Sequence, residues 1–536
     1  MKHFDKACPK PELVIGLAGP VGTDLDAICD EIDSCLTRYK YNSHPIKVSQ
    51  LIEGWTENDL KEKIISSKTD ERIKLLMNSG DALRQKHQRG DILVPLIVSY
   101  IRKFRQENLS SHGYKDSDLG NLELYNQCYI INSLKHPDEI RTLRDIYKDK
   151  FVLISAFRDK ESRIANLCQM IAKSNHVTNN EAFRNNSVEL IDIDAERPNT
   201  SLGQSLTKTF HRGDFFIRLD DDFSIELERF FELFFGNPFI TPTRDEFFMF
   251  EAKSNSLRSA DLSRQVGAVI TSPNNDIISR GCNEVPAVNG GAFWAGDHQS
   301  LDLRDYKQKR DFNEVKKLEI LEEFVGFLIK NSIAIVKTDD GDTAATPDQV
   351  VNSLVFGEFK ESFRNLRVSN LIEFGRVVHA EMHALMEAAR RGLSVDKGSL
   401  YCTTYPCHMC ARHIIAAGIK RVIYVEPYPK SMTKELYGDS VAIDEKPHTQ
   451  INAIGPHLPY EKVAFEPFEG IAPSIYKQLF SFKKRKDDQG YVVEWKKRGA
   501  VPALAHLSTA HLDLELIHIN ALENINSIGL SDITNG

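Results

Sequence analysis

His379-Ala380-Glu381-Met382-His383-Ala384-Leu385-Met386-Glu387-Ala388-Ala389-Arg390 is a run of strong helix formers that begins on a histidine. Downstream, Pro406-Cys407-His408-Met409-Cys410 puts a proline just before, or in the first turn of, a second helix. Its two cysteines, three apart, share one face of that helix. One histidine and two cysteines supply three ligands for a tetrahedral zinc ion. They leave the fourth position open, which separates catalytic zinc sites from closed structural ones. Glu381 falls within the first helical turn, near the metal without being a ligand. The positive end of the second helix favours both sulfurs as thiolates. Zinc in such a site lowers the pKa of a bound water toward about 7, and Glu381 is the expected carrier of that water's proton to a leaving group.

The competing reading is a closed zinc knot with a fourth protein ligand. His383, one turn from His379, and His408 are the candidates. A glutamate inside the motif has no obvious purpose in such a knot. His383 is expected instead to pack or hydrogen-bond on its helix, and His408 to project off its turn. Cys402, within Leu400-Tyr401-Cys402-Thr403-Thr404, reads as a buried strand thiol rather than a ligand.

A chain of 536 residues is too long for one ordinary core, so two or more domains are expected. The hydrophobic share of 41% and the charged share of 27% are those of a soluble globular protein. A net charge of −8 argues against broad, sequence-blind nucleic-acid binding. Two basic runs near the C-terminus, Lys483-Lys484-Arg485-Lys486 and Lys496-Lys497-Arg498, read as solvated surface. Nine cysteines, sparse and uneven, suggest no disulfide framework and suit a reducing cytoplasm. The N-terminus lacks the apolar core of a signal peptide. The longest apolar stretch, 324–336, is interrupted by Gly326, Lys330, Asn331 and Ser332 and is too short and polar to span a bilayer. A cytoplasmic protein with no membrane association is the expectation.

The N-terminal half alternates strands and helices, which predicts a mainly parallel sheet. Leu13-Val14-Ile15-Gly16-Leu17-Ala18-Gly19 is an apolar strand running into glycines, and Pro20 to Ile28 then opens a helix. Further strands are expected at Tyr129–Ile131, Phe151–Ser155 and Phe215–Ile217, with a helix over Glu139–Tyr147. Strand, glycine turn and helix is the layout of a phosphate-binding loop, so Gly16, Gly19, Gly22 and Thr23 are candidate nucleotide-binding residues. The match is incomplete. Gly19 to Asp26 has the length of G-x-x-x-x-G-K-[ST], but Asp24, Leu25 and Asp26 replace the second glycine, the lysine and the Ser/Thr. The half resembles P-loop nucleoside and nucleotide kinases. Without the lysine, it reads as a nucleotide-sensing or partner-binding relic, or as purely structural, before it reads as a kinase.

Gly236-Asn237-Pro238-Phe239-Ile240-Thr241-Pro242-Thr243 suits a linker. A helix over Glu246–Asp261, a strand over Gln265–Ile270, a turn at Ser272–Asn275 and a return strand over Ile277–Asn283 are expected after it. From about 245 to 465 the chain resembles the deoxycytidylate deaminase branch of the cytidine-deaminase-like superfamily. The resemblance rests on Ser259, Arg264-Gln265-Val266-Gly267-Ala268-Val269-Ile270, Gly281-Cys282-Asn283-Glu284-Val285-Pro286 and the two metal motifs. Together those motifs match the H-x-E…P-C-x-x-C signature of zinc deaminases. The resemblance implies a sugar contact for Asn283, whose alternative is a turn-capping role. Arg264 joins it among the substrate-binding candidates. After the strand Arg421–Val425 comes Glu426-Pro427-Tyr428-Pro429-Lys430-Ser431. In that fold the strand's end faces the active site, so Lys430 and Ser431 are candidates to hold a phosphate and Tyr428 to stack on the base. An ordinary turn is the alternative.

Some 95 positions separate Asn283 from His379, far more than a compact deaminase uses. This insertion, about 287–370, carries Trp294, Asp297, His298 and Lys337-Thr338-Asp339-Asp340-Gly341-Asp342, and suggests a lid or an oligomer contact. The combination resembles the bacterial anti-phage dCTP deaminases. It implies a degenerate P-loop kinase-like domain over 1–236, a deaminase α/β/α sandwich over 237–475 and a C-terminal extension over 476–536. It also implies zinc as cofactor, and hydrolysis of dCTP and dCMP to deoxyuridine nucleotides plus ammonia, emptying the dCTP pool against phage. A homo-oligomer, and restraint by a small RNA or nucleotide effector at the N-terminal domain, belong to the same resemblance. A polynucleotide cytosine deaminase and a non-catalytic nucleotide or RNA sensor are the alternatives.

Overall fold

The computed structural model describes residues 10–111, 123–195, 205–219, 223–297, 302–331, 333, 345–364, 366–428, 431–443, 462–504 and 509–523. Two compact units emerge, one of residues 1–246 with 469–536, the other of residues 247–468. The first unit contains β1 (Leu13–Ala18), β2 (Asn42–Lys47), β3 (Gln127–Asn132), β4 (Phe151–Phe157) and β5 (Phe215–Arg218). The second contains β6 (Gly267–Thr271), β7 (Ile277–Cys282), β8 (Ser399–Thr404), β9 (Arg421–Glu426), β10 (Val441–Ile443) and β11 (Val463–Pro467). The short β12 (Gly470–Ile471) returns to the first unit.

In the first unit the strand order is β12-β5-β4-β1-β3-β2. β1 to β5 are parallel, and β12 runs antiparallel against β5. The continuous apolar runs explain the order. β1 is buried at all six positions and lies between β3 and β4, as a strand covered on both faces must. β2, with Pro45 and mostly exposed or half-buried residues, takes the edge, where a missing N–H costs least. Alternate residues of β1 feed opposite cores. Leu13, Ile15 and Leu17 pack with Ile28, Ile32, Phe230 and Phe234, while Val14 packs with Ile97, Ile101, Ile131 and Leu143.

The C-terminal segment, expected as an extension over 476–536, is part of this unit. The helix Ala510–Glu523 brings Glu515 into a buried ion cluster. Arg105 Nη2 lies 2.9 Å from Glu12 Oε2, and Arg105 Nη1 lies 2.9 Å from Glu515 Oε2. Tyr147 Oη donates to Glu515 Oε1 at 3.0 Å, and Arg102 reaches Glu515 at 3.3 Å. These acids and Arg105 are at most 3% exposed as side chains. Burial alone would raise the Glu12 carboxyl. The Arg105 charge and hydrogen bonds from His511, Arg105 and the Leu124 amide hold it down at about 2. The basic runs are only partly solvated. Lys497 pairs with Glu228 and Glu232, Arg485 Nε donates to the Pro238 carbonyl, and Lys483 is half-buried.

The first boundary falls three residues beyond the Gly236–Thr243 linker, and Glu246 shows why. Its buried carboxylate accepts from Arg229 at 2.9 and 2.8 Å, from the Thr243 amide at 2.7 Å and from the Ile471 amide at 2.9 Å. One side chain thereby ties the outgoing and returning strands of chain into the first unit.

The second unit has the order β10-β11-β9-β8-β6-β7. β6 is antiparallel to β7 and β8, and β8, β9, β11 and β10 are parallel. Its core joins Ala268 and Ile270 of β6, Leu400 and Cys402 of β8 and Val422 of β9 to Ala380, Ala384 and Ile414 of two helices. The helix expected over Glu246–Asp261 spans Arg244–Ser256. The insertion is not one loop. It carries the helices Phe312–Lys330, Pro347–Val355 and Lys360–Arg364 around a small core of Leu321, Val325, Val351 and Phe363. His298 and Lys337 to Asp342 lie outside the described residues. Among those described, no helix is long and apolar enough to cross a membrane.

Arg105→Ala leaves two buried carboxylates without their cation. It is expected to cost about 3–5 kcal/mol, read by urea denaturation. Glu12 has a folded pKa below its ordinary 4.5, so its contribution is complete above that value and is lost as the pH falls toward about 2. The stability gap between the native chain and Glu12→Gln should therefore be widest at neutral pH and should narrow below 4.5.

Candidate active site

Two helix starts meet over the sheet of the second unit. β7 brings Gly281 against the helix Ala380–Arg390, where a Cβ would stand 2.1 Å from the Ala380 carbonyl oxygen. Glycine alone allows that approach, which seats the start of the helix on the sheet. His379 is the N-cap of this helix. The second start follows β8. Thr404 pairs with Glu426 of β9, the Tyr405 amide donates to the Glu426 carbonyl at 2.7 Å, and Cys407 then caps the helix His408–Ala416. Neither cap side chain makes a capping hydrogen bond to its helix, and both face the shared space.

His379 Nδ1 lies 3.3 Å from Cys407 Sγ and 3.4 Å from Cys410 Sγ. The three ligand atoms fall within 4.8 Å of one another, and among the described residues this is the one such set that could hold a metal ion. The electrostatics suit a cation. A hydrogen bond from Cys410, with help from His379, holds the Cys407 thiol down at about 4. Cys407 in turn pushes the His379 imidazole up to about 9. The Cys410 thiol is raised by its bond to Cys407 and by burial. The three groups thus turn electron-rich lone pairs toward one point, where a cation is favoured. Soft sulfur with imidazole is a zinc donor set, and three ligands leave the tetrahedron one position short.

Glu381 sits one residue into the helix beyond Ala380, 4% exposed and outside the ligand set. Burial raises its carboxyl pKa, the negative charge of Cys407 adds to the rise, and His379 opposes it. Cys402 is buried in β8 with Glu381 beside it, and burial pushes its thiol far up. His383 turns away from the metal set. Its Nδ1 faces the Cys282 carbonyl at 2.9 Å, and burial lowers its pKa. His408 is likewise outside the set.

The substrate-side candidates divide. Asn283 is buried, and its amide is spent on the backbone that carries Arg264. Its Oδ1 accepts from the Val266 amide at 2.7 Å, and its Nδ2 donates to the Arg264 carbonyl at 2.8 Å. Arg264 lies over the Tyr428 ring, 5.2 Å from its centroid, with Glu426 at 3.7 Å. Ser431 is not aimed outward. Its hydroxyl donates to the Pro406 carbonyl at 3.0 Å and pairs with Thr433 at 2.8 Å, bracing the turn that carries Cys407. Lys430 lies outside the described residues. Thr433, fully buried, lies beyond the stretch Glu426–Ser431 read from sequence, and Glu426 within that stretch was given no role.

In the first unit, Gly16 is within β1, packed against Leu134 and Phe151, and takes no part in the glycine turn. Gly22 has φ +85°, and Thr23 N donates to the Pro20 carbonyl at 3.0 Å. Asp24 caps the helix Leu25–Arg38 through the Ala27 amide at 3.1 Å. Asp26 is held by Lys47 and by Asn132 Nδ2, each at 2.9 Å.

The cytidine and deoxycytidylate deaminase zinc-binding region matches residues 242–426. Over 53 residues the chain is 45% identical to ComE operon protein 2 of Bacillus subtilis, covering 10% of this chain and 28% of that protein. It is 43% identical over 54 residues to the deoxycytidylate deaminase of enterobacteria phage T4, covering 10% and 28%. The chain thus spans less than a third of the length of these relatives. The dCMP deaminase of cyanophage S-TIM5, solved with dCMP and dUMP, aligns at 21% identity over 37% of this chain and 93% of that one, with a TM-score of 0.20, an overlap too loose to bear on function. The family match and the His379, Cys407 and Cys410 set support a cytidine/deoxycytidylate deaminase domain with a zinc site.

Cys407→Ala and Cys410→Ala are each expected to lose zinc on metal analysis, since two ligands remain. Glu381→Ala should keep it. Ser431→Ala, which removes a brace behind Cys407, should weaken zinc affinity by roughly tenfold in a chelator competition.

Proposed function

We propose that this chain is a zinc-dependent hydrolase that converts the free deoxycytidine nucleotides dCTP and dCMP to deoxyuridine nucleotides and ammonia. The observation that carries this reading is a buried carboxyl with raised proton affinity, Glu381, beside a three-ligand His/Cys/Cys set but outside it. His379, Cys407 and Cys410 would hold the zinc. When bound, zinc supplies a water acidified toward neutrality, the nucleophile for C4 of the cytosine.

The chain's own groups move the protons. Glu381 takes one proton from the water and places it on N3 of the ring, which lets C4 become tetrahedral. It then relays the second proton to the amino nitrogen, and ammonia leaves as C4 keeps the oxygen. Water enters and ammonia departs, with no other reactant. Burial suits Glu381 to this task, because a raised pKa makes the carboxylate a better acceptor for the water's proton and brings it nearer to working pH. Asn283 fixes the 264–266 backbone at the sugar side. Arg264, on the Tyr428 ring and 43% exposed, would meet a phosphate in this reading.

A polymer substrate would need a basic groove. The C-terminal basic runs offer little for one, with Lys497 and Arg485 engaged inside the first unit. Depletion of dCTP in antiviral defence, a homo-oligomer and a small-RNA or nucleotide effector acting on the first unit belong to this proposal. Their support is the resemblance, read from nearly the whole of the sequence, to anti-phage dCTP deaminases.

The test is mass spectrometry of products after full-length protein meets dCTP, dCMP, CTP and a cytosine-containing single strand, beside Glu381→Ala. Loss of dCTP or dCMP that is absent with Glu381→Ala is the expected result. Change in the strand alone, or turnover surviving Glu381→Ala, would overturn the reading. Arg264→Ala should raise KM roughly tenfold with kcat little changed, as for a contact made equally in ground and transition states.

A further inference from the structure

The glycine turn between β1 and the helix Leu25–Arg38 has the shape of a phosphate loop without its lysine. A cation is nonetheless present, supplied from elsewhere in the unit. Lys135, just beyond β3, sets its Nζ 2.8 Å from the Gly19 carbonyl oxygen. The same Nζ is 2.9 Å from Asp194 Oδ1 and 3.2 Å from Asp194 Oδ2. Asp194, on the helix Arg184–Ala195, is 1% exposed, and its Oδ2 accepts the Val21 amide at 2.6 Å. A carboxylate therefore sits against a loop N–H at the start of a helix, with a lysine beside it. Those are the partners that a phosphate takes at such a turn.

We infer that the glycine turn is an anion cradle filled by the chain itself: Asp194 takes the place of a phosphate, and Lys135 acts as the counter-cation that the turn lacks. Three further groups at or beside the turn are committed as well, while the buried Thr23 hydroxyl has no partner among the described residues. Asn166 Nδ2 donates to the Gly22 carbonyl at 3.2 Å, Asp24 caps its helix, and Asp26 is bound to Lys47 and Asn132. A nucleotide phosphate reaches this turn only by displacing a buried carboxylate from its lysine. The native chain accordingly takes no phosphate there at ordinary concentrations, and any effector of the first unit either binds another surface or works by expelling Asp194. This inference rests on the first unit alone and stands apart from the deaminase reading.

The probe is inorganic pyrophosphate, titrated calorimetrically into the full-length chain and into Asp194→Asn, with thermal melts to confirm folding. The isosteric amide keeps the shape and removes the charge. Asp194→Asn should gain pyrophosphate affinity by about tenfold or more, the worth of one charge-assisted hydrogen bond. Adding Lys135→Ala to that variant should abolish the gain. A folded Asp194→Asn that binds no better than the native chain would overturn the inference, because a merely structural ion pair predicts that result. Hydrogen exchange of residues 20–24 in the native chain, with and without pyrophosphate, decides the matter even if the variant does not fold. Unchanged exchange supports a filled cradle, and protection by pyrophosphate refutes it.

Discussion

The convergence of one imidazole nitrogen and two sulfurs, each on a helix N-cap or first turn, is the constraint that the second unit is built to meet. Three electron-rich atoms within 4.8 Å of one another are costly to hold together unless a proton or a metal lies between them. The surroundings supply the holding force. Gly281 lets the helix of His379 rest on β7, the β8–β9 ladder runs to Glu426 and sets where Cys407 emerges, and Ser431 and Thr433 anchor the Pro406 carbonyl behind it. Glu381 comes along as the second residue of its helix, so the register that positions His379 also positions the carboxyl proposed to carry the proton.

The same economy shapes the residues around the entrance. Asn283 holds backbone at both Arg264 and Val266, so its side chain shapes the loop that carries Arg264. Arg264 rests on an aromatic face with a carboxylate nearby, which keeps a mobile cation in place without burying it. Ser431, read from sequence as a phosphate ligand, belongs behind the metal set instead. A hydroxyl one turn from a strand end faces either way, and only the position of the Pro406 carbonyl decides which.

The first unit is organised by buried charge. Arg105 neutralises Glu12 and Glu515 in a space with little water, and Glu246 collects the Arg229, Thr243 and Ile471 donors where the chain leaves and returns. Both clusters join residues far apart in sequence. They explain why 469–536, whose composition suggests a solvated extension, folds back into the first unit. Asp194 and Lys135 follow the same rule in the glycine turn. In each case a buried carboxylate is stable because a specific cation or amide meets it.

The sequence by itself determined the chemistry of the metal set. His379, Glu381, Cys407 and Cys410 are local patterns, and helical spacing places each pair without reference to the rest of the chain. The apolar runs of β1, β3, β4, β8 and β9 were legible for the same reason, since burial on both faces leaves a continuous hydrophobic stretch. The turn signals of the 236–243 linker came within ten residues of the observed boundary. Tertiary structure alone decided what fills the glycine turn, where Ser431 and Asn283 spend their hydrogen bonds, which unit owns the C-terminal segment, and that the long insertion builds helices with a core of their own. Those outcomes depend on partners dozens to hundreds of positions away. A polar side chain is assigned by the donor or acceptor that reaches it, and no local pattern names that partner.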